Sequence, residues 1–458
     1  MSGIDWWNVR RMAAMLLLCM IGLGGRAFAQ STKPNLITDQ PGASLLLPYF
    51  EVNLDDFNGP TTLLSITNTS ATAVLAHLVV WSDMSVHTLD FDVYLTGYDV
   101  WRVNLANMLI NGFPGLPTAS AGQDPSDIIS PKGPLSQDIN FASCQSFLPL
   151  PTIPAFQLLT TQQALTGNPA PGFGLDKNGK PLCAGFPHGD RIARGYITID
   201  TVNSCSVEAP GDTNPVPYFP GIATNQNVLI GDAFYVNRRT NQAYAQNLVS
   251  LPADATNPLL NTPGDYTFYG RYTGTVPTAG WTAADNRLPT STTFAARYIQ
   301  PGSIQGSQYF NQGSSMIVWR DSKVDQPPFT CGTLPTWFPL GQEGITIFNE
   351  REQVVEPPTC HFSPCPIEPG SIPFPIETQK VKVGTADFIS PFLNGWAFLD
   401  LNFAVAEPPA TKGLNDDAAM QNWVITLFDN GGAVPYEIGT RAFQLDSATA
   451  ANHFVPTP

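Results

Sequence analysis

Charge is scarce in this chain. Asp, Glu, Lys and Arg make up 13% of its 458 residues, against roughly 25% in ordinary globular domains. The basic side is the poorer one, with 22 Lys and Arg against 37 Asp and Glu and a formal net charge of −15. An acidic chain without a basic run repels phosphate backbones and anionic lipid, which argues against a nucleic-acid partner. Long apolar runs are missing too. The stretch from Met12 to Leu23 is too short to span a bilayer comfortably, which argues against an integral helical membrane protein. Catalytic signatures are equally absent: no Gly-x-Ser-x-Gly elbow, no His-Glu-x-x-His, no Gly-rich phosphate loop and no dinucleotide fingerprint. An enzyme is therefore not the expected reading, and no cofactor is implied.

What is present begins with a leader. Arg10 and Arg11 precede the apolar run, and Ala27-Phe28-Ala29 has the small-x-small form of a cleavage site. This is the pattern of a secretory signal peptide over residues 1–29. Its removal takes away Arg10, Arg11, Arg26 and Asp5, so the net charge moves from −15 to −17. The expected location lies beyond the inner membrane: periplasm, outer surface or medium.

Without Cys19 of the leader, Cys144, Cys183, Cys205, Cys331, Cys360 and Cys365 remain. An even count in an exported chain reads as disulfides. Local pairing within the first three and the last three cannot be complete, because each trio is odd. Either a bridge crosses between the trios or two thiols stay free. Cys360-His361-Phe362-Ser363-Pro364-Cys365 could suggest a metal site, but no second cysteine pair has matching spacing, and disulfide is the expectation.

Residues 43–105 carry the densest pattern. The blocks ASLLLPYFEV, TTLLSITNTS, ATAVLAHLVVWSD and SVHTLDFDVYLTGYDVWRVNL are apolar, β-branched or aromatic, and turn formers punctuate them. This reads as an antiparallel meander forming one wall of a β-sandwich. Residues 74–81 are apolar on both faces and belong in a central strand. Further strands are expected at 194–202, 228–237, 243–251, 292–299, 314–324, 344–355, 381–389, 395–405, 422–430 and 438–446. Short helices are expected at 104–110 and 160–165. Long Pro/Gly-rich loops occupy 112–185, 252–290 and 356–375. The fold class is all-β, an antiparallel β-sandwich with few helices. It divides into residues 30–190 and 191–458, as two lobes or as one continuous domain. An outer-membrane barrel fits poorly with strands apolar on both faces.

The segments LLPYF, SITNTS and LDFDVYLTGYDVW, followed by GDAFYVN, AARYI and MIVWRDSKV, resemble a group of exported bacterial β-rich proteins of uncharacterised function. The resemblance implies secretion and a β-rich fold. It carries no catalytic residues.

Several constellations invite chemistry. His77 and His87, with Asp90 and Asp92, could bind a transition metal if the rings converged. The bland alternative, hydrogen-bonded partly buried histidines, is preferred, and no metal site is assigned. Asp55-Asp56-Phe57-Asn58-Gly59, Asp176-Lys177-Asn178-Gly179 and Asp429-Asn430-Gly431 offer oxygens for calcium, though none has the full alternating spacing and each also reads as a turn. Glu350 with Glu352, and Asp387 with Asp400, are carboxylate pairs that a glycosidase would need and that surface acids explain equally well. Loop aromatics Trp281, Trp337, Tyr266, Phe268, Tyr269 and Tyr272 could stack on a sugar or anchor a protein, or else cover the sheets. The sequence reading is a non-catalytic binding or envelope-structural protein acting through loop surfaces, with an envelope protein or polysaccharide as partner. The alternative is a secreted carbohydrate-active protein, either a sugar-binding module or a carboxylate-dependent glycoside hydrolase.

Overall fold

The computed structural model describes residues 40–115, 142–144, 147–148, 152–212, 218–254, 267–273, 285–290, 293–302, 312–322, 326–341, 344–354, 374–384, 390, 392–401, 421–430, 436–441 and 443–444. The chain opens with β1 (Ser44–Asn53), β2 (Pro60–Asn68), β3 (Val74–Ser82), β4 (His87–Leu95) and β5 (Val100–Asn104), then the helices α1 (Leu105–Asn111) and α2 (Ala155–Leu165). There follow β6 (Leu182–Cys183), β7 (Ile192–Val202), β8 (Leu229–Asn237), β9 (Gln242–Asn247), β10 (Val249–Leu251) and the single-turn α3 (Gly270–Thr273). The last strands are β11 (Thr293–Ile299), β12 (Ser314–Arg320), β13 (Phe329–Thr330), β14 (Gly344–Asn349), β15 (Thr378–Lys382), β16 (Asn394–Asp400), β17 (Asn422–Asn430), β18 (Tyr436–Arg441) and β19 (Phe443–Gln444). The protein is all-β, with three short α-helices among the described residues.

A five-stranded sheet runs β10-β1-β7-β3-β4; three four-stranded sheets run β5-β2-β8-β9, β15-β12-β17-β18 and β14-β16-β11-β19; and β13 pairs with β6. The strand neighbours are antiparallel throughout. The opening strands are thus not one wall. β1, β3 and β4 join the five-stranded sheet, whereas β2 and β5 join another. The cause lies in their faces. Every residue of β3 is buried, so it needs cover on both sides and a neighbour on each flank. In β2, Leu63, Ser65 and Thr67 remain half-buried between buried Leu64 and Ile66, the alternation of a sheet wet on one side.

β7 fills the gap, pairing with β1 on one flank and β3 on the other. Gly195 permits this closeness, because a Cβ there would collide with the Trp81 carbonyl. The β1 register shifts between Leu47 and Phe50, around Pro48, which has no N–H for the ladder. The Pro48 carbonyl instead accepts from Thr378 Oγ1 of β15.

One continuous cluster joins the five-stranded sheet (Leu47, Val79, Ile197), the inner face of the β2 sheet (Ile66, Val103, Ala233) and one face of the β12 sheet (Ile317, Ile425). The other face of the β12 sheet (Met316, Val318, Val424) packs on Phe294, Ala397 and Leu399 of the fourth sheet. Each such side chain contributes on the order of 1.5–3 kcal/mol through burial, so the stacked faces dominate stability.

Two disulfides fasten the loops. Cys144–Cys205 closes a separation of 61 residues, and Cys183–Cys331 closes 148. One bridge is local to the first trio and the other crosses to the second; Cys360 and Cys365 lie outside the described residues. No helix among the described residues is long and apolar enough to cross a membrane.

Candidate binding surface

The loop aromatics turn inward. Phe268, Tyr269 and Trp337 are buried, and Tyr272 is half-buried against the main core. Tyr266 and Trp281 lie outside the described residues. Phe268 stacks on Trp319 with centroids 5.6 Å apart, and Tyr272 stacks on Trp81 at 5.5 Å. Trp81 in turn lies 5.9 Å from Tyr196 and donates from Nε1 to Thr198 Oγ1 at 2.9 Å. These rings and Arg271 line a small, partly open pocket of about 10 Å³, room for about one water. Trp337 belongs to a separate cluster with Met84, Leu340 and Ile376. These side chains cover sheet, as loop aromatics do where strands would otherwise present apolar faces to water.

Beneath the rings lie two buried ionic networks that the sequence did not single out. In the first, Asp200 on β7 accepts from Tyr218 Oη at 2.7 Å, from Tyr269 Oη at 2.8 Å and from Ser44 Oγ. Arg287 Nε lies 3.5 Å from Asp200 Oδ1, and its Nη1 lies 3.2 Å from Asp285 Oδ1. The guanidinium also packs 5.3 Å from the Phe219 ring. Burial, and then the nearby Asp200 charge, push both tyrosine hydroxyls up; they are donors here, not bases.

In the second, Arg271 of α3 donates to Asp321 at 2.7 Å and to both oxygens of Glu377 at 2.8 and 3.3 Å. Ser85, in the β3–β4 turn, donates to Glu377 and lies 2.7 Å from Tyr196 Oη. Burial opposes the Arg271 charge, but Asp321 and Glu377 more than offset it and raise its pKa. Burial pushes the Glu377 carboxyl up, against the pull of Arg271. Arg320, fully buried, donates to the carbonyls of Leu340, Phe374 and Leu401 at 3.2, 2.6 and 2.7 Å.

The histidines do not converge. His77 Nδ1 lies 3.0 Å from Asp92 Oδ1 across the β3–β4 ladder, while His87 Nε2 lies 3.0 Å from Asp90 Oδ1. Each ring engages its own carboxylate, and no group of three or more His, Cys, Asp or Glu residues placed to hold a metal occurs among the described residues. The Asp-Gly loops are occupied by turn bonding. Asp56 accepts from Asn58 N and Arg239. Asp176 accepts from Asn178 N, Lys180 N and Thr330 Oγ1, and Asp429 from Gln242 and Lys382. Glu350 pairs with Arg297 and Glu352 is exposed; Asp387 lies outside the described residues, which leaves its pairing with Asp400 undescribed.

Apolar side chains do reach the surface on the loop region between β5 and β7. Phe156 and Leu159, three residues apart on one side of α2, are 63% and 44% exposed. The turn Pro171–Phe173 is fastened to the same helix by Gly172 N donating to Thr160 Oγ1 at 3.0 Å, and just beyond it Leu175 is 65% exposed. This region is anchored at β6, where Cys183 is bridged to Cys331 and the strand pairs with β13. The result is a fixed apolar platform of helix and turn outside the sheets.

Comparison of the chain with protein-family models, characterised proteins and solved structures finds no match in any of the three.

Proposed function

We propose that the chain is an exported, non-catalytic binding or envelope-structural protein that engages its partner through loop surfaces held on the β-sheet stack. The platform of Phe156, Leu159 and Leu175 carries this reading: apolar groups kept in water on a disulfide-anchored loop are what a docking surface requires. The interior supports the non-catalytic part. Asp200, Asp285, Asp321 and Glu377 are each bound to an arginine or to several hydroxyls inside the fold, so these carboxylates are taken up in internal pairing. The paired cysteines suit an oxidising compartment, in keeping with the leader at residues 1–29.

A photo-cross-linking residue placed at Phe156 or Leu175, in the full chain produced in a diderm bacterium, tests the proposal. The expected result is a processed product outside the cytosol with a discrete envelope-protein adduct. The adduct should be absent when the cross-linker replaces Arg238, an exposed residue at the β8–β9 turn. Unprocessed chain retained in the cytosol would overturn the export reading, and no adduct at either loop position would overturn the docking reading. The carbohydrate alternative is read on a polysaccharide array, where binding lost in Trp281→Ala would favour it. Trp337→Ala is unsuitable there, because the ring is core.

A further inference from the structure

The outer face of the β5-β2-β8-β9 sheet has a pattern that the loop proposal does not use. Along β8 the outward residues are Ile230, Asp232 and Phe234, alternating with buried Leu229, Gly231, Ala233 and Tyr235. Ile230 and Phe234 are 39% and 47% exposed, and Val100 on the edge strand β5 is 53% exposed. The register sets these in rows across β2. Thr67 stands between Val100 and Ile230, Ser65 between Arg102 and Asp232, and Leu63 between Asn104 and Phe234. On β9 the face continues as exposed Ala243, Ala245 and Asn247.

Arg102 and Asp232 are the charged side chains of these rows. Both are exposed, and they flank Ser65 on opposite sides, about 10 Å apart at the ordinary strand spacing. Neither forms an ion pair among the described residues. In a chain of net charge −15, two copies repel over most of their surface. Here they meet a neutral face of mixed apolar and polar residues bearing one charge of each sign.

We infer that this face is where a second copy of the chain docks, as a two-fold dimer whose axis runs parallel to β2, midway between the two faces above Ser65. That axis exchanges the positions of β5 and β8 while keeping each row. Arg102 of one copy then lies over Asp232 of the other, and Val100 over Ile230, each pairing occurring twice as an isologous interface requires. Faces stacked about 10 Å apart bring an arginine and an aspartate within reach. With the axis over β2, the strands β5, β2 and β8 overlap their counterparts and β9 lies outside; three strands of about eight residues give roughly 400 Å² in projection per copy. That is below the usual size of a specific interface, so the dimer is weak, with a dissociation constant in the micromolar range. Charge complementarity selects the occupant: a strongly acidic or basic partner would leave one of the two charges facing its like.

Sedimentation of the mature, oxidised chain over a concentration series tests this. A monomer–dimer equilibrium is expected. Arg102→Asp and Asp232→Arg, each alone, should weaken it at least about tenfold, and the double exchange should bring it back to within about threefold. Phe234→Lys should weaken it without touching either charge, and circular dichroism should show every variant folded. A chain that stays monomeric up to about 100 μM, far above a micromolar constant, would overturn the inference. So would a dimer indifferent to the single reversals, or single losses that the double exchange fails to restore.

Discussion

At the residue scale the interior is governed by buried charge that has found partners. His77 shows how this reaches the pH axis. Burial opposes its protonation, but Asp92, with Asp90 and Asp200 behind it, wins and raises its pKa above 6.5. A histidine whose folded pKa is raised contributes stability that is complete below 6.5 and lost as pH rises through the folded value. Asp92 is itself pushed up by burial, against the pull of His77, which acts in the same sense beginning above 3.8. The expected outcome is a melting temperature that falls between pH 6 and pH 8, with the fall flattened in His77→Gln; a scanning-fluorimetry series in pH measures both. The sequence made the two histidines and the nearby acids visible without assigning which acid each ring meets. Strict alternation places Asp90 and Asp92 away from His87, yet the bulge between Val80 and Trp81 breaks the alternation and lets Asp90 reach it. Asp200 left a fainter trace, as a lone acid ending the apolar run YITID. Arg287 left none, because nothing in its loop shows that it turns inward.

At the scale of elements, strands were the most legible part. β1, β2, β3, β7, β8, β11, β12 and β17 lie within two residues of the expected boundaries at the start of each, since period-two patterning reports burial directly. Within the block 85–105 the turn formers Thr96-Gly97 mark where β4 and β5 divide, at Thr96–Asp99, and Tyr98 there adopts a positive φ of 60°. The two-residue strands β6 and β13 were not legible. Two residues carry no period, and it is the Cys183–Cys331 bridge beside them that sets their pairing. That bridge supplies a prediction. Cys183→Ser with Cys331→Ser should cost about 2–4 kcal/mol, read from urea denaturation. It should also loosen the turn carrying Leu175, seen as faster amide exchange there than in β3.

At the scale of the molecule, an all-β sandwich could be read from composition and turn spacing, but the membership of sheets could not. Sheet membership depends on which faces need cover, and that is a property of strands distant in the chain. β1 illustrates it, with β7 on one flank and β10 on the other. A fragment ending at Asp190 would hold β1 and β3 without the strand between them. Limited proteolysis should degrade that fragment rapidly while the full chain resists.

The same arrangement governs how the protein can be made. At ordinary rates of translation, about 8–30 s separate the emergence of β1 from that of β7, and the ladder between them cannot close sooner. Through that interval β1 is a greasy ribbon whose ladder groups on the β7 side have no strand to pair with. Late closure thus leaves the central sheet incomplete until nearly half of the chain has been synthesised.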